Sequence, residues 1–129
     1  MSREPIPEEL RRFILTSVPS VPFVEALLVY RGARGSPVDN ALVARRLYMG
    51  EKAAAEVVAQ LAEARFIQPA DGPAGSTHRF APDAALAAMI EQLVAYYRSH
   101  LVEVTDLIHS KTSRKAQQFA DAFKWKKEP

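Results

Sequence analysis

Apolar positions recur at steps of three and four along most of this chain, and prolines and glycines mark the breaks. From Glu8 to Val18, the residues Leu10, Phe13, Ile14 and Val18 fall on one helical face, with Pro7 at the entry. Glu8 and Glu9 sit at the positive end of that helix. Pro19 and Pro22 interrupt, Ser20 offers a cap, and Phe23, Ala26, Leu27 and Tyr30 predict a second helix from Pro22 to Arg31. Gly32 and Gly35 flank its exit. Asp39 can cap a short third helix containing Leu42, Val43, Arg45, Arg46 and Leu47. Beyond Tyr48-Met49-Gly50, residues 51–65 predict an alanine-rich helix with Ala54, Val57, Val58 and Leu61 on its apolar side.

The period then changes. Phe66-Ile67 leads into residues 68–77, whose two prolines, two glycines and aspartate exclude a helix. They suit a loop between two short antiparallel strands, with His78-Arg79-Phe80 in the second and Pro69 held to a strand edge. From Ala84 to His109 there is neither proline nor glycine, and Leu86, Met89, Ile90, Leu93, Tyr97, His100, Leu101, Val104, Leu107 and Ile108 repeat at helical steps. Such a helix would be about 39 Å long at ~1.5 Å per residue, against a radius of gyration near ~14 Å for a compact chain of this size. It must kink or pack on a second copy, and the length of the stripe favours the second copy. His100 then belongs at the dimer seam and His109 at the carboxyl end of the helix. Residues 113–123 carry Ala116, Phe119, Ala120 and Phe123 at helical spacing, and Lys124-Trp125-Lys126-Lys127 follows.

Composition places these elements in one domain, 1–129: a core over 20–82, an N-terminal helix over 8–18, a long helix over 83–110 and a basic extension over 111–129. The 129 residues are 48% hydrophobic and 25% charged, as in a soluble globular protein. The absence of cysteine removes disulfides and thiolate-ligated metals. No apolar run approaches the roughly 20 residues needed to cross a bilayer, and the N-terminus has no apolar signal core, so the expected setting is cytoplasmic with no membrane partner. The net charge of +2 is unevenly placed. Residues 83–110 hold four acids against Arg98, whereas 111–129 hold six basic and two acidic side chains.

Residue chemistry argues against an enzyme, a metal or a cofactor. His100 and His109 lie nine positions apart and cannot share a metal within one helix. Ser99 and His100 are adjacent and, on a helix, point about 100° apart, which separates a nucleophile from its base. No glycine-rich phosphate loop precedes a helix.

The run Asp39-Asn40-Ala41-Leu42-Val43-Ala44-Arg45-Arg46-Leu47, then Glu51-Lys52-Ala53-Ala54-Ala55-Glu56-Val57-Val58-Ala59-Gln60-Leu61, then Phe66-Ile67, resembles a winged helix-turn-helix domain of bacterial transcriptional regulators. The resemblance covers about half the chain and implies a mainly α fold with a small two- or three-stranded β wing. It makes 39–47 the supporting helix, 51–65 the recognition helix and Gly72 to Thr77 the wing, with a long C-terminal dimerisation helix. The function it implies is sequence-specific binding of double-stranded DNA by a small homodimeric regulator, its half-sites about 34–36 Å apart. Lys52, Glu56 and Gln60 would read bases. Arg45 and Arg46 would contact phosphates, His78 and Arg79 would reach a minor groove, and Lys111, Arg114 and Lys115 would form an electrostatic arm. One departure supports an alternative. The outward side of 51–63 carries Glu51, Glu56 and Glu63 against Lys52, with Ala55 and Ala59 between them, which suits docking of a partner protein.

Overall fold

The computed structural model describes residues 6–70 and 77–110. The expected tip of the wing, the helix over 113–123, and Lys111, Arg114, Lys115 and Lys124 to Lys127 all lie outside the described residues.

Local chemistry sets the helix boundaries. In α1 (Glu8–Ser17), Leu10 and Ile14 turn inward, and the chain bends by 103° into α2 (Val21–Gly32). The bend falls at Pro19, and Ser20 opens α2 by accepting a hydrogen bond from the Phe23 N–H at 3.3 Å. Asp39 does the same for α3 (Asn40–Leu47), accepting from Leu42 N–H at 2.8 Å, and Asp83 for α5 (Ala84–Ser99), accepting from Leu86 N–H at 2.8 Å. Between them, α4 (Glu51–Glu63) starts after Gly50, and no side chain caps it.

α3 ends in a left-handed turn. Met49 N–H donates to the Ala44 carbonyl at 3.0 Å and Tyr48 N–H to Arg45 at 3.4 Å, with Tyr48 at φ 56°. α4 ends the same way, through Phe66 to Leu61 and Arg65 to Ala62, with Arg65 at φ 67°. Only residues 48–50 remain to reverse the chain between α3 and α4.

Three strands make one antiparallel sheet in the order β1-β3-β2, from β1 (Val38–Asp39), β2 (Ile67–Pro69) and β3 (Thr77–Phe80). Val38 pairs with His78, and Ile67 with Phe80. Pro69 lies on β2, an edge strand, where its missing N–H interrupts no interior ladder. The fold is thus mainly helical with a small three-stranded antiparallel sheet.

The core gathers Phe23, Leu27, Tyr30, Val58, Leu61, Phe66 and Ile67, with Leu10, Ile14, Ile90 and Leu93 closing it from α1 and α5. Phe66 meets Phe23 edge-on at 5.3 Å and stacks on Phe13 at 6.1 Å, which ties the entry to β2 against α1 and α2. α5 is further joined to α2 by polar contacts. Tyr97 O–H donates to Glu25 at 2.5 Å, and Arg31 grips Glu91 with two bonds of 2.8 and 2.6 Å. That pair holds the Glu91 carboxyl below its usual range, and burial followed by the Glu25 bond raises the Tyr97 phenol.

Of the two outcomes expected for the stretch from Ala84 to His109, a kink or a second copy along one rod, the chain shows a break: the stretch is two helices. α5 stops at Ser99, His100 takes φ −135° and ψ 50°, and α6 covers residues 101–110. His100 serves both helices, since its N–H donates to Tyr96 at 2.7 Å and its carbonyl accepts from Val104 N–H at 3.1 Å. A straight rod would carry its far end past the body. The break instead brings Val104 and Ile108 to full burial within the same chain. That part of the stripe is covered within the chain, and His100 forms the corner between the two helices. What remains outside is the adjacent pair Leu101 and Val102, 52% and 60% exposed.

Candidate functional site

α4 lies against α3 and α2, and its buried side is Ala54, Val57, Val58 and Leu61, as the spacing predicts. Glu51, Lys52, Glu56, Ala59, Gln60 and Glu63 face solvent, while Ala55 is half-buried. Ala53 joins the outward side, which sequence spacing alone does not single out. Lys52, Glu56 and Gln60 thus share one open face.

At the amino end of that face lies the corner 45–52. Arg45 and Arg46 are exposed in the last turn of α3, and neither has an ion-pair partner among the described residues. Lys52 stands in the first turn of α4, whose leading N–H groups point outward without a capping side chain. Tyr48 projects between them at 96% exposure. Hydrophobic periodicity does not mark this residue, because an isolated tyrosine in a turn belongs to no stripe. The available clue is its position after a short helix, where a left-handed turn directs a side chain outward.

The sheet divides the two remaining basic candidates. His78, expected to reach outward with Arg79, is buried at 8% exposure, pairing with Val38 on one side and Pro69 on the other. Strand alternation turns its ring inward, on the face shared with Val38 and Phe80, and turns Arg79 to the opposite face beside Gln68. Arg79 is half-buried, and its Nε has no hydrogen-bond partner among the described residues. Burial lowers the His78 pKa from its ordinary value and so favours the uncharged ring, a poor partner for a phosphate.

The same burial makes stability depend on pH. The unfolded chain binds a proton at His78 more readily than the folded one, so folding weakens as pH falls through 6.5 toward the lower folded value. Thermal melts taken from about pH 7 to about pH 5 should show a larger loss of midpoint for the native chain than for His78→Leu. Equal losses in the two proteins would remove His78 as the source.

Ser99 and His100, expected to diverge, are in contact. Ser99 Oγ lies 2.8 Å from His100 Nδ1, because the helix ends between them and helical angular spacing no longer applies. The hydroxyl also donates to the Ala95 carbonyl at 3.1 Å, a bond serines commonly make to their own helix. The Tyr96 ring stacks on the imidazole at 4.1 Å. A cleft of about 590 Å³ opens at the other end of α4, between Thr16, Ser17, Gln60, Glu63 and Leu86. Its aromatic walls, Phe23 and Phe66, are each only 1% exposed, so they present little apolar area to a ligand.

Among the described residues, no three His, Asp or Glu side chains are grouped to hold a metal ion, and no single helix is long and apolar enough to cross a membrane. The chain matches no protein-family model, no curated protein and no solved structure.

Proposed function

We propose that this chain is a cytoplasmic winged helix-turn-helix protein that binds double-stranded DNA sequence-specifically as a small homodimeric transcriptional regulator, without catalysis. The element order supports this reading. A short strand precedes α3, a three-residue turn joins α3 to α4, and two antiparallel strands follow α4 and return beside β1. One observation carries it: the corner 45–52 gathers Arg45, Arg46 and Lys52, all exposed, around the uncapped amino end of α4. Cations and outward N–H groups are what a phosphate backbone needs, and the open face behind them presents Gln60 and Glu56 to base edges. Arg79 contributes from the sheet, and His78 acts as a core residue. The homodimer rests on Leu101 and Val102, whose apolar surface is otherwise left to water.

A second reading has its own observation. Three glutamates on the open face of α4 against one lysine favour a protein partner over a polyanion. Binding of the full chain to labelled duplex DNA at about 50 mM and about 200 mM salt separates the two, because phosphate contact makes affinity fall steeply with salt. Salt-sensitive binding supports the DNA reading. No binding at the lower salt, or binding indifferent to salt, contradicts it and leaves the docking reading.

A further inference from the structure

The Tyr48 backbone closes α3, but its side chain is left in water by its own chain. At φ 56° and ψ 47° it occupies the left-handed region, where its Cβ crowds the backbone and glycine would be at ease. Its side chain is 96% exposed, so burial offers no return for that strain. Tyr48 stands at the edge of a hollow of about 260 Å³ lined also by Val21, Pro22, Glu25, Arg46 and Met49, yet it stays 96% exposed there. Arg34 and Arg65 share the left-handed conformation, at φ 53° and φ 67°, and both are exposed. Their guanidinium heads are well solvated, whereas a phenol ring in water is not. A large aromatic held outward at a backbone cost points to a contact outside the chain.

Charge identifies the partner. Arg45, Arg46 and Lys52 flank Tyr48 along the chain, and Arg46 lines the same hollow. The acids nearby are Glu51 in the corner 45–52 and Glu25 of α2 at the hollow, the latter engaged by Tyr97. We infer that Tyr48 is a positioning residue for a nucleic-acid duplex: its O–H donates to a backbone phosphate oxygen and its ring rests against the adjoining sugar. This deepens the proposed function and rests on it, adding a neutral contact that fixes the register of α4 beside the cationic ones. Tyrosine is among the side chains that bond phosphate oxygens directly.

The neutrality of the phenol gives the test its resolution. Removing a cation from the interface lowers both affinity and the salt slope, whereas removing a neutral donor lowers affinity alone. The full chain, Tyr48→Phe and Tyr48→Gly are titrated against a labelled mixed-sequence duplex of about 24 base pairs, across about 50–200 mM salt. Tyr48→Phe should bind about tenfold more weakly, the scale of one hydrogen bond to a charged acceptor, with the slope unchanged. Tyr48→Gly should bind more weakly still, while its melting midpoint stays equal to or above that of the native chain. Native-like affinity in both variants, beside a native chain that binds, overturns the role of Tyr48 alone. A native chain that does not bind the duplex overturns this inference and the proposed function together.

Discussion

Leu61→Ala should lower the stability of this protein by about 2–5 kcal/mol, the cost of removing a fully buried leucine and leaving part of its volume empty. Leu61 is 0% exposed and lies on the side of α4 that packs on α2 and α3, next to Val57 and Val58. Small domains have only about 5–15 kcal/mol in total, so the melting midpoint should fall by on the order of 10 °C or more. Its neighbour Gln60 is exposed, and Gln60→Ala should stay within about 0.5 kcal/mol of the native chain. The two substitutions are one residue apart and differ only in which way the helix turns them. An unchanged melting curve for Leu61→Ala would mean that α4 presents a different face to the core.

The paired change Arg45→Ala with Arg46→Ala should act in the opposite manner, leaving the fold and weakening the interface. Both side chains are exposed at the end of α3, and neither forms an ion pair among the described residues, so their removal costs the folded state little. α3 itself even gains slightly in intrinsic helix preference from alanine. In binding, removal of each arginine–phosphate pair should reduce the slope of log affinity against log salt by about 0.9. Affinity should fall similarly for every duplex sequence, because phosphate contacts fix position without reading bases. Titrations against two unrelated duplexes at several salt concentrations check this. A weakening confined to one sequence would make the arginines base readers, and unchanged affinity would remove the corner from the interface.

The parts of the fold legible in the sequence are those where local chemistry and burial agree. Ser20, Asp39 and Asp83 cap helices where side-chain acceptors precede apolar periods, and the buried face of α4 follows directly from the spacing of Ala54, Val57, Val58 and Leu61. Pro69 falls on an edge strand for the reason its chemistry gives. The length of the stripe makes a kink one of two outcomes, but its position at His100 is not legible, because no glycine or proline marks it and the apolar period continues through it. It arises from tertiary fit, as Val104 and Ile108 reach the core only if the chain turns there. The contact between Ser99 and His100 depends on the same break and is hidden with it.

The candidate site divides along the same line. Arg45, Arg46, Lys52, Glu56 and Gln60 are outward because helix periodicity fixes their faces once the core face is known. His78 departs from its expected outward position because strand alternation can be phased either way in a four-residue strand. Its phase is set by pairing with Val38, in a two-residue strand too short to announce itself in the pattern. Periodicity does not single out Tyr48 because its orientation comes from the left-handed turn closing α3, and that turn uses tyrosine where glycine is the usual marker, which leaves only its place after a short helix as a clue.

The central claim is that the open face of α4 and the corner before it form the surface on which a duplex sits. An NMR titration of the isotope-labelled full chain with duplex DNA at low salt tests this residue by residue. The account predicts backbone amide shifts concentrated over residues 45–60, with those of α1 and α5 little changed. Shifts confined to α5 and α6, or no shifts at all, would contradict it.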